Sequence, residues 1–241
     1  MKYKLAPTPP SLLDGPTMRK TAKSALADVI ETKLTRTDVA PTNCVVVDGC
    51  FLLHKVVWPK SCTYQVVLSV YISCVITNYS EGATVAFDGY EGPASTKMQE
   101  QNRRCLKLKT LDVVVDLNLV VSTSQSDCLS NSRNKAMLIK ILSRQLQSHG
   151  LVVLQAAVDA DALIVMTAPK LADNSRPVTV VASDTYILAM LTARTQPKQN
   201  IFFVKPGTLG KTDKVFPLQQ MQEKVGGMKN VILFLHAITS K

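Results

Sequence analysis

Cys44-Val-Val-Val-Asp48 is a β-branched run with apolar side chains at consecutive positions, closed by a carboxylate. Consecutive rather than alternating apolar residues mark a strand buried on both faces, which is the condition of a parallel sheet covered by helices. Three further stretches repeat the pattern: Thr84-Val-Ala-Phe-Asp88, the run from Leu151 to Asp159 with Asp161 close behind, and Val178-Thr-Val-Val-Ala-Ser-Asp184. Open parallel sheets bind ligands just beyond their carboxyl ends, so aspartates delivered there from four strands would converge. Carboxylates crowded together at neutral pH need a cation between them, and hard oxygen donors select Mg²⁺ or Mn²⁺. Taken singly, each aspartate is an ordinary turn former or helix N-cap. Taken together, in a chain with only 18 acidic residues, the recurrence favours a cluster.

The rest of the composition sets the frame. The chain has 241 residues, 46% of them hydrophobic and 19% charged, enough to bury a core as one large domain. Residues 1–16 are Pro-rich and read as an extended tail, leaving 17–241 as a single domain. The formal charge is +10, concentrated in stretches such as Lys97 to Lys109 and Arg133 to Arg144. A basic surface around an acidic centre suits a polyanion, which points to nucleic acid as partner. The N-terminal stretch has no apolar core for a signal peptide, and the longest apolar runs are too short to span a membrane. An intracellular protein, cytoplasmic or nuclear, with no membrane partner is expected. Its oligomeric state is left open. The six cysteines form no C-x-x-C pair and read as reduced core residues, while His54, His149 and His236 offer neither a zinc motif nor a triad.

Periodicity predicts a helix over Met18–Thr37, a strand over Val45–Val47, a buried helix over Thr63–Asn78 and a strand over Thr84–Phe87. Gly49, directly after Asp48, is read as permitting a tight turn. Leu111–Val121 alternates Val113, Val115, Leu117, Leu119 and Val121 with polar residues, the pattern of a half-buried strand.

The peptide after the second apolar run is the most specific: Phe87-Asp88-Gly89, then Pro93, Lys97, Glu100, Arg103 and Arg104. It resembles the corresponding segment of the PIN-like superfamily, close to its flap-endonuclease branch and to transposon-associated and invertebrate PIN-like proteins. Val-Val-Val-Asp48-Gly49 resembles the first acidic motif of that family. Asp159-Ala-Asp161 resembles its two-acid motif, and Ser183-Asp184-Thr-Tyr186 resembles its Ser/Thr-Asp-x-Asp motif with tyrosine in the second acidic position. Leu129-Ser-Asn131-Ser-Arg-Asn134-Lys135 and Val204-Lys-Pro206-Gly207 are similar to segments of the same group.

The resemblance covers about residues 40–240. It implies a three-layer α/β fold with a mainly parallel central sheet and helices on both faces. It implies a divalent-metal-dependent nuclease in which Asp48, Asp88, Asp159, Asp161 and Asp184 hold Mg²⁺ or Mn²⁺, while Lys97, Arg103 and Arg104 hold the phosphates of DNA or RNA. Asp48, Asp88, Asp159 and Asp161 match the ligands of one metal in flap endonucleases. Asp184 and Tyr186 match part of the second set, whose Gly-Cys-Asp motif would follow the chain's last residues. By that comparison the domain is C-terminally incomplete and its second metal weakened. The rival expectation is a noncatalytic nucleic-acid-binding or protein-interaction module on a degenerate PIN-like fold.

Overall fold

The computed structural model describes residues 13–14, 17–18, 42, 44–89, 111–157, 159–173, 176–207, 210–227 and 233. Its centre is a six-stranded sheet. In chain order the strands are β3 (Cys44–Asp48), β4 (Thr84–Phe87), β5 (Val152–Gln155), β6 (Val178–Val181), β7 (Ile201–Lys205) and β8 (Lys214–Pro217), numbered after a two-strand ribbon of β1 (Leu13–Asp14) and β2 (Thr17–Met18). The spatial order is β5-β4-β3-β6-β7-β8, with every pair parallel except the last. The chain therefore starts in the middle at β3, runs outward through β4 and β5, then returns across β3 to build β6, β7 and β8 on the other side. This reversal makes the boundary between β3 and β6 the topological switch point of the sheet.

Helices cover both faces: α1 (Gly49–Lys55), α2 (Tyr64–Tyr79), α3 (Gln125–Ser130), α4 (Ser132–Ser148), α5 (Ala160–Ala172), α6 (Thr185–Arg194) and α7 (Leu218–Val225). The two-residue period of the strands divides the core into two layers. Val45, Val47, Val85, Phe87 and Val204 pack with Leu52, Leu68, Tyr71, Leu138 and Leu142 of α1, α2 and α4. Val46, Ala86, Val180 and Phe203 pack on the opposite face with Ile164, Leu188 and Met221 of α5, α6 and α7. Both faces of the central strands are dry, so they are written as unbroken apolar runs. The architecture is the three-layer α/β fold with a mainly parallel sheet that the sequence predicts.

Two predicted elements differ. Among the residues of Met18–Thr37 only Met18 is described, and it lies in β2 opposite Leu13 rather than in a helix; the remainder lies outside the described residues. Leu111–Val121 is not a ladder strand, although its side chains alternate in burial much as expected, with Val115 buried and Asp112, Val114 and Asp116 exposed. Its carbonyls are used elsewhere: Tyr64 N–H donates to Leu119 O at 3.0 Å and Gln65 N–H to Leu117 O at 2.9 Å. These are first-turn amides of α2, a helix whose N-cap Thr63 makes no side-chain capping bond. Alternation reported one-sided burial correctly; the partner is a helix end instead of a neighbouring strand.

Asn131 and Asn134 fix the start of this segment. Asn131 caps α4 by accepting from the amides of Arg133 and Asn134. Buried Asn134 accepts from Val113 N–H and donates to Leu111 O, both at 2.9 Å. Asp112 accepts from Asn131 and Arg133, which hold its carboxyl below the ordinary value. The Leu129-to-Lys135 motif is thus a clamp that seats residues 111–113 on the first turn of α4.

The strand ends also approach one another closely. A Cβ on Gly89 would stand 2.0 Å from Ala156 O, and one on Gly227 would meet nothing within 4 Å. Gly89→Ala is therefore expected to destabilise the protein by about 1–3 kcal/mol, the usual cost of overpacking, and Gly227→Ala to change it by no more than about 0.5 kcal/mol. Thermal unfolding of the two variants beside wild type checks the contrast.

Candidate metal centre

Each aspartate singled out in the sequence is tied to the start of a helix. Asp48, the last residue of β3, caps α1 by accepting from Cys50 N–H at 2.8 Å. Asp159 caps α5 through Asp161 N–H at 3.3 Å, and Asp184 caps α6 through Tyr186 N–H at 2.8 Å. Asp88 follows β4 and reaches across to α5, where Ala160 N–H donates to its Oδ1 at 2.9 Å. Capping, the role an aspartate takes singly, holds for Asp48, Asp159 and Asp184. The positive ends of three helices meet at the carboxyl edge of the sheet, and that field favours a concentration of negative charge.

The bonds also show which acids stand together. The thiol of Cys50 donates to Asp88 Oδ2 at 3.1 Å, joining the acids that end β3 and β4. The Ala160 bond places Asp88 at the head of α5, between the flanking Asp159 and Asp161, both half-buried. Asp184 faces the group from the other side of the switch point and is exposed. Its charge, like that of Asp88, bears on Asp48. Asp48 and Asp88 are 6% and 5% exposed, which makes their shared environment poor in water. Burial pushes the Asp48 carboxyl up to about 6, against the downward pull of the Cys50 and Phe51 amides, and the negative charges of Asp88 and Asp184 add to the rise.

Gly49 serves this geometry by its lack of a side chain. A Cβ there would lie 2.3 Å from the Phe87 ring and 2.7 Å from Ala86 O, so α1 could not start so close to β4. The predicted reason, freedom for a tight turn, is corrected: Gly49 is the first residue of a helix and is not among the glycines with positive φ.

Two residues of the site were not anticipated. Cys50 was read as a core thiol. It is half-buried between the acids, and burial above all, opposed by Lys135 and reinforced by Asp88 and Asp48, pushes its thiol up to about 12. Lys135, in the first turn of α4, places Nζ 3.7 Å from Cys50 Sγ. The only available signals were the position of Cys50 two residues after Asp48 and the Asn134-Lys135 pair inside the Leu129-to-Lys135 motif. Of the other cysteines described, Cys128 is buried and Cys44, Cys62 and Cys74 are half-buried, all as free thiols. Lys97, Arg103 and Arg104 lie outside the described residues.

The donor chemistry fits a hard cation. Carboxylates are hard oxygen ligands, and a thiol that keeps its proton and donates to Asp88 does not act as a soft thiolate ligand. Among the described residues no three His, Cys, Asp or Glu side chains form a ready cage. A looser arrangement of acids suits Mg²⁺, which keeps several waters and takes one or two carboxylates. No helix among the described residues is long and apolar enough to cross a membrane. Compared with known families and curated proteins, the chain matches no family model and no individual sequence.

Asp48 yields a pH prediction with a defined sign. Its folded value, about 6, lies above the ordinary 3.8, so the folded state holds the proton more tightly. Below the ordinary value there is no penalty. As pH rises toward about 6, the unfolded chain ionises first and stability falls, reaching at most about 3 kcal/mol of loss above that. Asparagine caps a helix as well as aspartate does. In EDTA at pH 7.5, Asp48→Asn is therefore expected to melt above wild type, with the difference vanishing toward pH 4; denaturation across that pH range measures it.

Proposed function

We propose that this protein is a divalent-metal-dependent phosphodiesterase acting on DNA or RNA, with a weakened second metal position. The observation that carries the reading is the placement of Asp48: buried at the end of the central strand, beside the switch point, with Asp88 and Asp184 acting on it from the two neighbouring strands. A buried carboxylate beside other negative charges is costly to keep ionised, and a site that binds a cation turns that cost into affinity. The PIN-like resemblance and the +10 charge agree with this reading independently of the geometry.

Asp48, Asp88, Asp159 and Asp161 would hold Mg²⁺ or Mn²⁺ on one side of the switch point, with Asp184 on the other. When bound, the ion lowers the pKa of a coordinated water and stabilises charge on the phosphate oxygens. The chain's own contribution is to fix the acids through the helix caps, keep the Asp48–Asp88 side poor in water, and supply cations for the backbone. Lys97, Arg103 and Arg104 are assigned that last role.

Tyr186 qualifies the activity. It is 39% exposed and occupies the position where the resemblance has an acid. A phenol does not supply the full negative charge of a carboxylate and is a poor ligand for a hard dication. This residue favours the second reading, a noncatalytic nucleic-acid-binding module on the same fold. Replacing Tyr186 with Asp separates the two: an attenuated enzyme gains Mn²⁺ affinity and cleavage of single-stranded or flap substrates, whereas a binding module gains neither.

The primary test is thermal. Millimolar Mn²⁺ or Mg²⁺ is expected to raise the melting temperature of wild type by mass action, and to do so far less for the Asp48→Ala, Asp88→Ala double variant. An equal shift in both proteins would remove the acids from the metal site. Neutralising Lys97, Arg103 and Arg104 together should weaken binding to all nucleic-acid sequences alike and lower the slope of log affinity against log salt, since phosphate contacts act by counterion release. Fluorescence anisotropy at several salt concentrations reads that slope.

A further inference from the structure

The acids are not alone at the carboxyl edge of the sheet. Lys135 belongs to the first turn of α4, where the helix dipole disfavours a cation, and no acidic residue accompanies it in that turn. Its neighbour Arg133 turns to Asp112, with an N–O distance of 2.9 Å and both side chains largely exposed. Lys135 is half-buried and turns the other way, to within 3.7 Å of Cys50 Sγ, the thiol that donates to Asp88 Oδ2 at 3.1 Å. The backbone beneath it is held by Asn131 and by Asn134, whose two bonds to residues 111 and 113 leave the first turn of α4 little freedom. Cys50 joins the ammonium to the acids: its amide donates to Asp48 at 2.8 Å and its thiol to Asp88 at 3.1 Å, so the Asp48–Asp88 pair is negative charge close to a half-buried cation at the start of its helix.

We propose that Lys135 is the resident counter-cation of the Asp48–Asp88 pair: its ammonium offsets their charge when no ion is bound and opposes an incoming divalent cation, thereby setting metal affinity. Lys135 is a positioning residue in this role, acting through the acids and the Cys50 thiol. Its charge is felt on two separate groups, Cys50 and His54; for the imidazole it adds to burial in lowering the proton affinity. The second half of the proposal rests on the metal reading of the site, and the first half does not.

The experiment is a double-mutant cycle with a metal titration. Lys135→Met, Lys135→Gln and Lys135→Arg are made in wild type and in Asp88→Asn, and melting is followed in EDTA at pH 7.5. Lys135→Met and Lys135→Gln are expected to lower the melting temperature, Lys135→Arg to retain most of it, and Asp88→Asn to remove at least half of the loss. The same loss in both backgrounds overturns the charge pairing. Mn²⁺ binding is then measured from the electron paramagnetic resonance signal of the free ion. Lys135→Gln is expected to bind about tenfold more tightly than wild type, because a like charge close to the site has been removed. Unchanged or weaker binding overturns the competition. If neither protein binds Mn²⁺ while the cycle shows coupling, the metal reading and the competition fall together and the charge pairing stands. If Mn²⁺ binds both proteins equally and the cycle shows no coupling, the role of Lys135 falls and the metal reading stands.

Discussion

The bond from Asp48 to the amide of Cys50 is the constraint on which the carboxyl edge of the sheet depends. It closes the central strand, starts α1 one residue later and fixes a carboxylate where the chain reverses its direction of sheet growth. Because β3 pairs with both β4 and β6, any group held at its end is brought beside the groups that follow those strands. Asp88 and Asp184 occupy those places. The closeness of α1 to β4 further requires that Gly49 carry no side chain, so the strand end, the helix start and the acid group form one unit.

A carboxylate accepts at about four lone-pair sites, and a single cap bond leaves most of that capacity. The cap bond also removes rotational freedom from the side chain. Asp88 carries this furthest. It is held by an amide of α5 on one oxygen and by the Cys50 thiol on the other, which ties three elements that are remote in the chain. Asp184 is the opposite case, exposed, with its hydrogen bond among the described residues coming from the first turn of its own helix.

How much of this was legible depended on what each pattern physically reports. Cys44–Asp48, Thr84–Phe87 and Val178–Val181 could be read as buried parallel strands because two-sided burial leaves continuous β-branched runs. The edge strand Val152–Gln155 was legible only as part of a longer run, since an edge tolerates exposure, as at Val152. Leu111–Val121 was misread because alternation records which side chains face the core and is silent on where the backbone bonds go. Cys50 and Lys135 escaped for a different reason. Their meeting depends on how the first turn of α4 is seated by Asn131, Asn134 and residues 111–113, a long-range arrangement with no local periodicity to announce it.

That seating links recognition elements with no obvious chemistry to the acid group. The Asn134 side chain bonds to the backbone of Val113 and Leu111, and Asp112 pairs at the surface with Arg133. Neither touches an aspartate at the strand ends. Yet they determine where α4 begins, and the position of Lys135 as the fourth residue of the helix follows from that start. A displacement of the first turn by even part of a residue would withdraw the ammonium from Cys50 and from the acids that Cys50 adjoins. The segment 111–121 makes the same kind of connection on its other side, supplying carbonyls to the first amides of α2. It reads as a half-buried strand in the sequence, but in the fold it is a brace that aligns two helix starts, and through α4 it sets the balance of charge at the carboxyl edge of the sheet.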